Sequence, residues 1–392
     1  LNAIFFINLQ TKKVEDFNSI RPYLDQEVSD VLSIYKDSTV FQKLANHVYP
    51  SWTADTFQKK LSKIKTTLAF QEQFVFPATK AAIDRSMDFF TVSGLENIDR
   101  EENYLFISNH RDIVLDSSIL FYVLYQNEFK IVETAIGNNL LTSQLVTDIV
   151  KLNQNFIVQR NLPTREMITA SKLLSRYIRF VLNEKKMSIW ISHREGRTKD
   201  GNDKTNPGVL KMISMDCEGD KIGYLLSLKI VPVSISYEFE SCDALKAAEL
   251  SEIELTGTYK KDGTEDMKSI ITGITQQKGR VHLAFGQPIK RSDLAFSTDK
   301  IQDHFKELSE YIDKEIHQHF KLFPGNYIAY DLIHNTNKYG DRYNAWEKSR
   351  FTEHINQILK TRKDKKGFAI FNRILLNIYS NPVINQLENN NL

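Results

Sequence analysis

Cysteine is nearly absent: Cys217 and Cys242 are the only two in 392 residues. Two isolated thiols exclude a disulfide framework and a cysteine-rich metal cluster, and they suit a reducing compartment. They read as small core or surface side chains. No uninterrupted apolar run reaches the roughly 18–20 residues that a membrane-spanning helix needs. The opening stretch LNAIFFINLQ is short and carries no basic leader, so it reads poorly as a signal peptide. It begins on Leu1, and little weight falls on the first dozen residues. The expectation is an intracellular chain with no anchor of its own. A charge of one sign is lacking too: 51 Lys and Arg against 49 Asp and Glu leave +2, which gives no overall drive toward nucleic acid. Internal repeats and low-complexity tracts are absent.

An ordinary globular composition remains, with 41% apolar and 26% charged residues. The length suits two compact units or one large domain with helical additions. Apolar residues recur at helical spacing from about Val14 to Phe90, with Asp25 or Ser29 and then Ser51 as plausible caps and Pro77 as a break. The middle alternates short β-rich runs with helical ones. DFFTVSG, NYLFISN, FKIVETAIG, QNFIVQR, MSIWISHREG, KIVPVSISYEFE and GRVHLAFGQPI read as strands; DSSILFYVLYQNE, SQLVTDIVKLN and TREMITASKLLSRYIRFVLNEKK read as helices. Such alternation predicts an α/β fold, a mostly parallel central sheet flanked by helices, whose ligands gather beyond the carboxyl ends of the strands. The divisions are an N-terminal helical region over 1–90, the α/β domain over 91–300 and a C-terminal helical region over 301–392. The tail RKDKKGFAIFNRILLNIYSNPVI joins a basic run to an apolar one. It reads as a terminal helix packed on the domain, or as a contact with an anionic membrane surface through its lysines and Phe368, Phe371, Ile374 and Leu375.

Four stretches carry chemistry. In NHRDIVLD, His110 follows a strand and has Asp112 two residues away and Asp116 six. A carboxylate that orients an imidazole makes it a general base; either aspartate could turn back toward the ring, and Asp112 or Asn109 could simply cap the helix. The tripeptide HRD also opens the protein-kinase catalytic loop, but Ser117 stands where that loop needs Asn, and neither a glycine-rich phosphate loop nor D-F-G is present. In NFIVQRN, Arg160 ends a strand, where a guanidinium suits a phosphate or carboxylate. WISHREGRTKDGNDKTNPGVLKM places His193, Arg194, Glu195, Gly196 and Arg197 after a strand, with Lys199, Lys204 and Lys211 close behind. That is the pattern of an anion-binding loop. In KIVPVSISYE, Pro232 removes a ladder donor and suggests an edge or bulge of the kind that lines a pocket.

In order, NHRDIVLD, FIVQR, REGRTKDG and IVPVSIS resemble the four blocks of the glycerolipid acyltransferase family, and GRVHLAFGQPI resembles its closing strand. The resemblance spans about Asn103 to Lys290 and is most similar to bacterial members that acylate 1-acylglycerol 3-phosphate. Two departures stand out. Five residues rather than four separate His110 from Asp116, and Arg197 follows Gly196 directly.

The resemblance implies a glycerolphosphate-acyltransferase-like fold and direct transfer of a fatty acyl group from a thioester, on coenzyme A or acyl carrier protein, to a hydroxyl of glycerol 3-phosphate or its 1-acyl derivative. His110 would be the base, with Asp116 or Asp112 as its partner. Arg160 and Arg197, supported by Lys199 or Lys211, would bind the acceptor's phosphate, and Glu195 with Gly196 would shape its pocket. No metal or bound cofactor is expected, and neither is a nucleic-acid partner. The expected place is cytoplasmic, peripheral on the inner face of the cell membrane. Another bacterial lipid acceptor and an inactive membrane-associated scaffold are the competing readings.

Overall fold

The computed structural model describes residues 17–361 and 367–390. Seven strands form one sheet: β1 (Met87–Ser93), β2 (Leu105–Ser108), β3 (Val132–Gly137), β4 (Asn155–Val158), β5 (Ser188–Ser192), β6 (Ile230–Tyr237) and β7 (Gly279–Phe285). Their order across the sheet is β1-β7-β6-β2-β5-β3-β4. Five strands, from β6 to β4, run parallel, and β7 joins them antiparallel to β6. All seven runs expected from the β-rich pattern are strands, and the mostly parallel, helix-flanked α/β sheet is the one observed.

The strand period of two divides the core. Leu105 and Ile107 of β2 point to a layer containing the helices Thr164–Asn183 and Ile301–His319. Phe106 and Trp190 point to the opposite layer, where the helix Leu115–Gln126 packs. That helix buries residues around most of its circumference, from Leu115 to Leu124, as a helix enclosed by protein must. The helix Ile301–His319 shares the core of the sheet through Phe305, Leu308, Ile312 and Ile316, so packing continues across position 300.

Several local expectations are corrected. Asp25 does not cap its helix through its own turn; it accepts the Thr67 N–H at 2.9 Å. Thr53, not Ser51, caps the helix Ala54–Leu61. Pro77 sits in the first turn of the helix Phe76–Ser86, where its missing N–H costs nothing, directly after a π-helical turn over Gln71–Val75. β6 is an interior strand, and Pro232 pairs in register with Ile107 without a bulge. Its carbonyl accepts the Gly286 N–H at 2.8 Å just where the β7 ladder ends.

Of the two readings of the apolar tail, the terminal helix packed on the domain is the one observed. Phe371, Ile374 and Leu375 of the helix Phe368–Asn390 are buried against Ile328, Phe351 and Phe239. Only Phe368 of the four proposed membrane residues is exposed. The basic run at 362–366 and the opening stretch lie outside the described residues. No described helix is long and apolar enough to cross a membrane.

Candidate active site

β2 ends at Ser108, and Asn109 to Val114 form a non-helical turn before the helix begins at Leu115. Asn109 is fully buried and anchors the turn: its amide exchanges hydrogen bonds with the backbone of Ile235 at 2.8 and 3.0 Å and donates to Asp203 at 3.0 Å. His110 comes next, with its side chain 14% exposed. Its Nδ1 lies 2.9 Å from Asp116 Oδ2. The same oxygen accepts the backbone N–H groups of Arg111 (2.6 Å) and Asp112 (2.8 Å), and Tyr237 donates its hydroxyl to Oδ1 at 2.8 Å. Asp116 also lies in the first helical turn, where the helix dipole favours a carboxylate. With Nδ1–H donated to Asp116, Nε2 is the lone-pair nitrogen, and it has no hydrogen-bond partner among the described residues. Trp190 meets the imidazole edge-to-face at 5.8 Å between centroids.

Asp112 has a different place. Its Oδ1 accepts the N–H groups of Val114 and Leu115, each at 2.9 Å, and Ser241 donates its hydroxyl to Oδ2. It therefore satisfies the opening of the helix and does not reach the imidazole. The extra residue between His110 and Asp116 is absorbed because the turn is not helical; the rotation of about 100° that one added residue imposes on a helical side chain does not arise.

The third stretch closes over the first. Thr198 donates its N–H to the His110 carbonyl at 2.7 Å. Arg197 Nη2 donates to Ser269 Oγ at 3.1 Å, whereas its Nη1 is buried with no partner among the described residues. A guanidinium nitrogen left unpaired in a buried place is costly unless a ligand meets it. Arg160, 25% exposed, lies 3.5 Å from the exposed carboxylate of Glu195. It can cross the end of β3 only because residue 137 is glycine: a Cβ there would fall 2.7 Å from Arg160 Nε. Gly196 adopts φ +69° with open space around it, the left-handed turn that glycine favours.

Two proposed phosphate ligands are placed elsewhere. Lys199 is ion-paired with Glu249. Lys211 is exposed on the helix Pro207–Ile213 with its ammonium 5.8 Å from the Phe305 ring, and no interaction links it to His110, Arg160 or Arg197. His193 is fully buried; burial pushes its imidazole down to about 3 against the opposing charge of Asp203, with the Arg194 and Arg111 charges helping, so it is neutral.

A buried polar group that the sequence did not single out supports the turn. Arg111 makes hydrogen bonds to both carboxylate oxygens of Asp203, the shortest 2.6 Å, and one to Glu240 at 3.1 Å. Lys246 bridges Glu240 (2.5 Å) and the Arg111 carbonyl (2.7 Å). Two cations face two carboxylates, which is what burial of charge requires. Arg111 holds Asp203 well below the usual carboxylate range, against its burial. The signal in the sequence was slight, because Asp203, Tyr237 and Glu240 lie 92, 121 and 129 residues from the partners they meet in the turn. Among the described residues no cluster of three or more His, Cys, Asp or Glu could hold a metal ion.

A histidine oriented by a carboxylate, at the carboxyl end of a central parallel strand and near a guanidinium with one unpaired nitrogen, is an arrangement able to take a proton beside an anionic group. Residues 89–236 match the family model described as Acyltransferase. This segment, which runs from within β1 into β6 and holds the His110 turn, is what the chain shares with that family. Among solved structures it is similar to the 1-acyl-sn-glycerophosphate acyltransferase PlsC from Thermotoga maritima, at 13% identity and a TM-score of 0.37, covering 75% of this chain and 95% of that one. No curated protein matches the chain in sequence.

Proposed function

We propose that the protein transfers a fatty acyl group from a thioester, on coenzyme A or acyl carrier protein, to a hydroxyl of 1-acylglycerol 3-phosphate or glycerol 3-phosphate. The observation that carries this reading is the His110–Asp116 pair, with Nδ1 engaged and Nε2 open. His110 Nε2 takes the proton of the acceptor hydroxyl as its oxygen attacks the thioester carbonyl. Asp116 orients the ring and offsets the imidazolium charge. Collapse of the tetrahedral adduct breaks the carbon–sulfur bond and forms the ester, and the imidazolium returns its proton to the departing thiolate. No acyl-enzyme is required. The unpaired Arg197 nitrogen and Arg160 receive the acceptor's phosphate, and Arg160 exchanges Glu195 for it. Holding both reactants over His110 supplies several kcal/mol of the barrier reduction.

The test is free-thiol release from palmitoyl-coenzyme A by the purified protein, with each acceptor in turn and with His110→Ala beside the wild type. Acceptor-dependent release that vanishes in the variant is expected. Release indifferent to both acceptors and to the substitution would overturn the reading. In this reading the enzyme works at the inner face of the cell membrane, where an insoluble product is released; sedimentation with anionic liposomes at low salt checks the membrane association.

A further inference from the structure

The helix Phe368–Asn390 lies outside the family segment, yet it grips both loops that grip the catalytic turn. The first loop runs from Glu240 to Asp243. Tyr379, fully buried, donates its hydroxyl to Asp243 Oδ2 at 2.5 Å and accepts the Glu240 N–H at 3.1 Å. His354 Nε2 also meets Asp243 Oδ2, at 2.7 Å. Gln276 donates to Asp243 Oδ1 at 3.0 Å and accepts the Cys242 N–H at 2.9 Å. Between these anchors Cys242 is held at φ +58°, a conformation that a non-glycine residue adopts only when its surroundings impose it. From this loop Ser241 reaches Asp112 and Glu240 reaches Arg111.

The second loop runs from Asp200 to Asp203. Asn381 donates to the Asp200 carbonyl at 2.8 Å. Gly201, at φ +80°, lies so close to the same helix that a Cβ would fall 2.1 Å from the Ile378 carbonyl oxygen. From this loop the Gly201 carbonyl and the Asp203 carboxylate hold Arg111. Both loops therefore end on Arg111 and Asp112, the two residues whose N–H groups share Asp116 Oδ2 with His110.

We propose that the helix Phe368–Asn390 is part of the catalytic scaffold, with Tyr379 and Asn381 as positioning residues that fix the two loops and, through Arg111 and Asp112, the aim of the His110–Asp116 pair. Only the activity arm of the test rests on the function proposed above. Tyr379→Phe removes all three hydroxyl contacts, to Asp243, the Glu240 N–H and His354 Nε2 at 3.2 Å, and keeps the ring that packs on Phe351. Asn381→Ala independently removes the shorter of the helix's two hydrogen bonds to the second loop, leaving the Asn385 amide at 3.5 Å from the Gly201 carbonyl. Arg373→Gln, on the same helix but paired among the described residues with Glu254 at the surface, is the control.

The first readout is hydrogen exchange of the segment 109–116, which needs no substrate. In Tyr379→Phe and in Asn381→Ala the amides of Arg111 and Asp112 should exchange at least about threefold faster, with Arg373→Gln unchanged. The second readout is acyl transfer, where kcat should fall by about tenfold to a hundredfold with the acceptor KM nearly unchanged. Faster exchange confined to the two loops and the helix, with 109–116 as in the wild type, overturns the proposal. An inactive wild type overturns the functional reading alone, since the exchange result still decides the scaffold. Should Tyr379→Phe fail to fold, Asn381→Ala decides by itself.

Discussion

Asp116 Oδ2 lies 2.9 Å from His110 Nδ1 although the turn between them is one residue longer than the four-residue spacing of the family it resembles. The same oxygen gathers two backbone N–H groups of that turn, so one carboxylate both folds the turn and selects the imidazole tautomer. Replacing His110 with Ala should lower kcat for acyl transfer by about 10²–10⁴-fold. Asp116→Asn should cost a similar factor, because the amide can present its N–H to Nδ1 and turn the ring to the wrong tautomer. Steady-state kinetics on both variants check this, with the acceptor KM expected to move little.

Asp112 behaves oppositely. Its carboxylate serves the first N–H groups of the helix and the Ser241 hydroxyl. Asp112→Ala should cost about 0.5–2 kcal/mol of stability, the usual loss of a helix cap. Asp112→Asn keeps an oxygen for Val114 and Leu115 and should retain most of the activity. The pair Asp112→Asn and Asp116→Asn, compared in one assay and one thermal melt, separates cap from catalytic partner; similar losses of rate in the two would contradict the geometry.

The strands and the order of the polar blocks were legible because their signals are local: period-two burial, turn residues, and polar clusters at strand ends. His110, Arg160 and Arg197 could be marked on those grounds. The choice between Asp112 and Asp116 could not be made from spacing, because it depends on whether the intervening chain is helix or turn. The partners of Arg111 were hidden by sequence distance. Lys199 and Lys211 misled for a related reason. A loop rich in lysine resembles an anion site, but each ammonium takes the nearest carboxylate or ring that the fold offers, here Glu249 and Phe305. The tail Phe371, Ile374 and Leu375 has the composition of a membrane contact and of a core helix alike, and only the packing against Ile328 and Phe351 decides.

Gly137 is the glycine on which the acceptor side of the site turns. Its backbone is ordinary, with φ −71°, so alanine is not strained there by conformation. The obstacles are two side chains: Asn139, whose Oδ1 would lie 2.4 Å from the new Cβ, and Arg160, whose Nε would lie 2.7 Å from it. Gly137→Ala should displace the guanidinium and raise the acceptor KM by about tenfold, the size of one lost charge-assisted hydrogen bond. Arg160→Gln should raise KM comparably, and the double variant should do no worse than the more severe single one. Full additivity would separate Gly137 from Arg160.

His193 makes stability depend on pH with a definite sign. Its ring is buried and neutral, at about 3 against an ordinary value of 6.5. Between those values the unfolded chain takes up a proton that the folded chain refuses. Stability should therefore be full above about pH 6.5 and fall as the pH drops toward 3, by ~2 kcal/mol at pH 5 from this residue alone. Asp313 works in the opposite sense, since burial pushes its carboxyl up to about 7 and the folded state holds that proton more tightly as the pH falls. The contribution of His193 is isolated by difference. Urea unfolding of wild type and His193→Gln at about pH 7 and about pH 5 should show the variant losing less stability on acidification, by that ~2 kcal/mol. Parallel losses in the two proteins would mean that the imidazole is charged inside the fold, which the buried, unpartnered Nδ1 forbids.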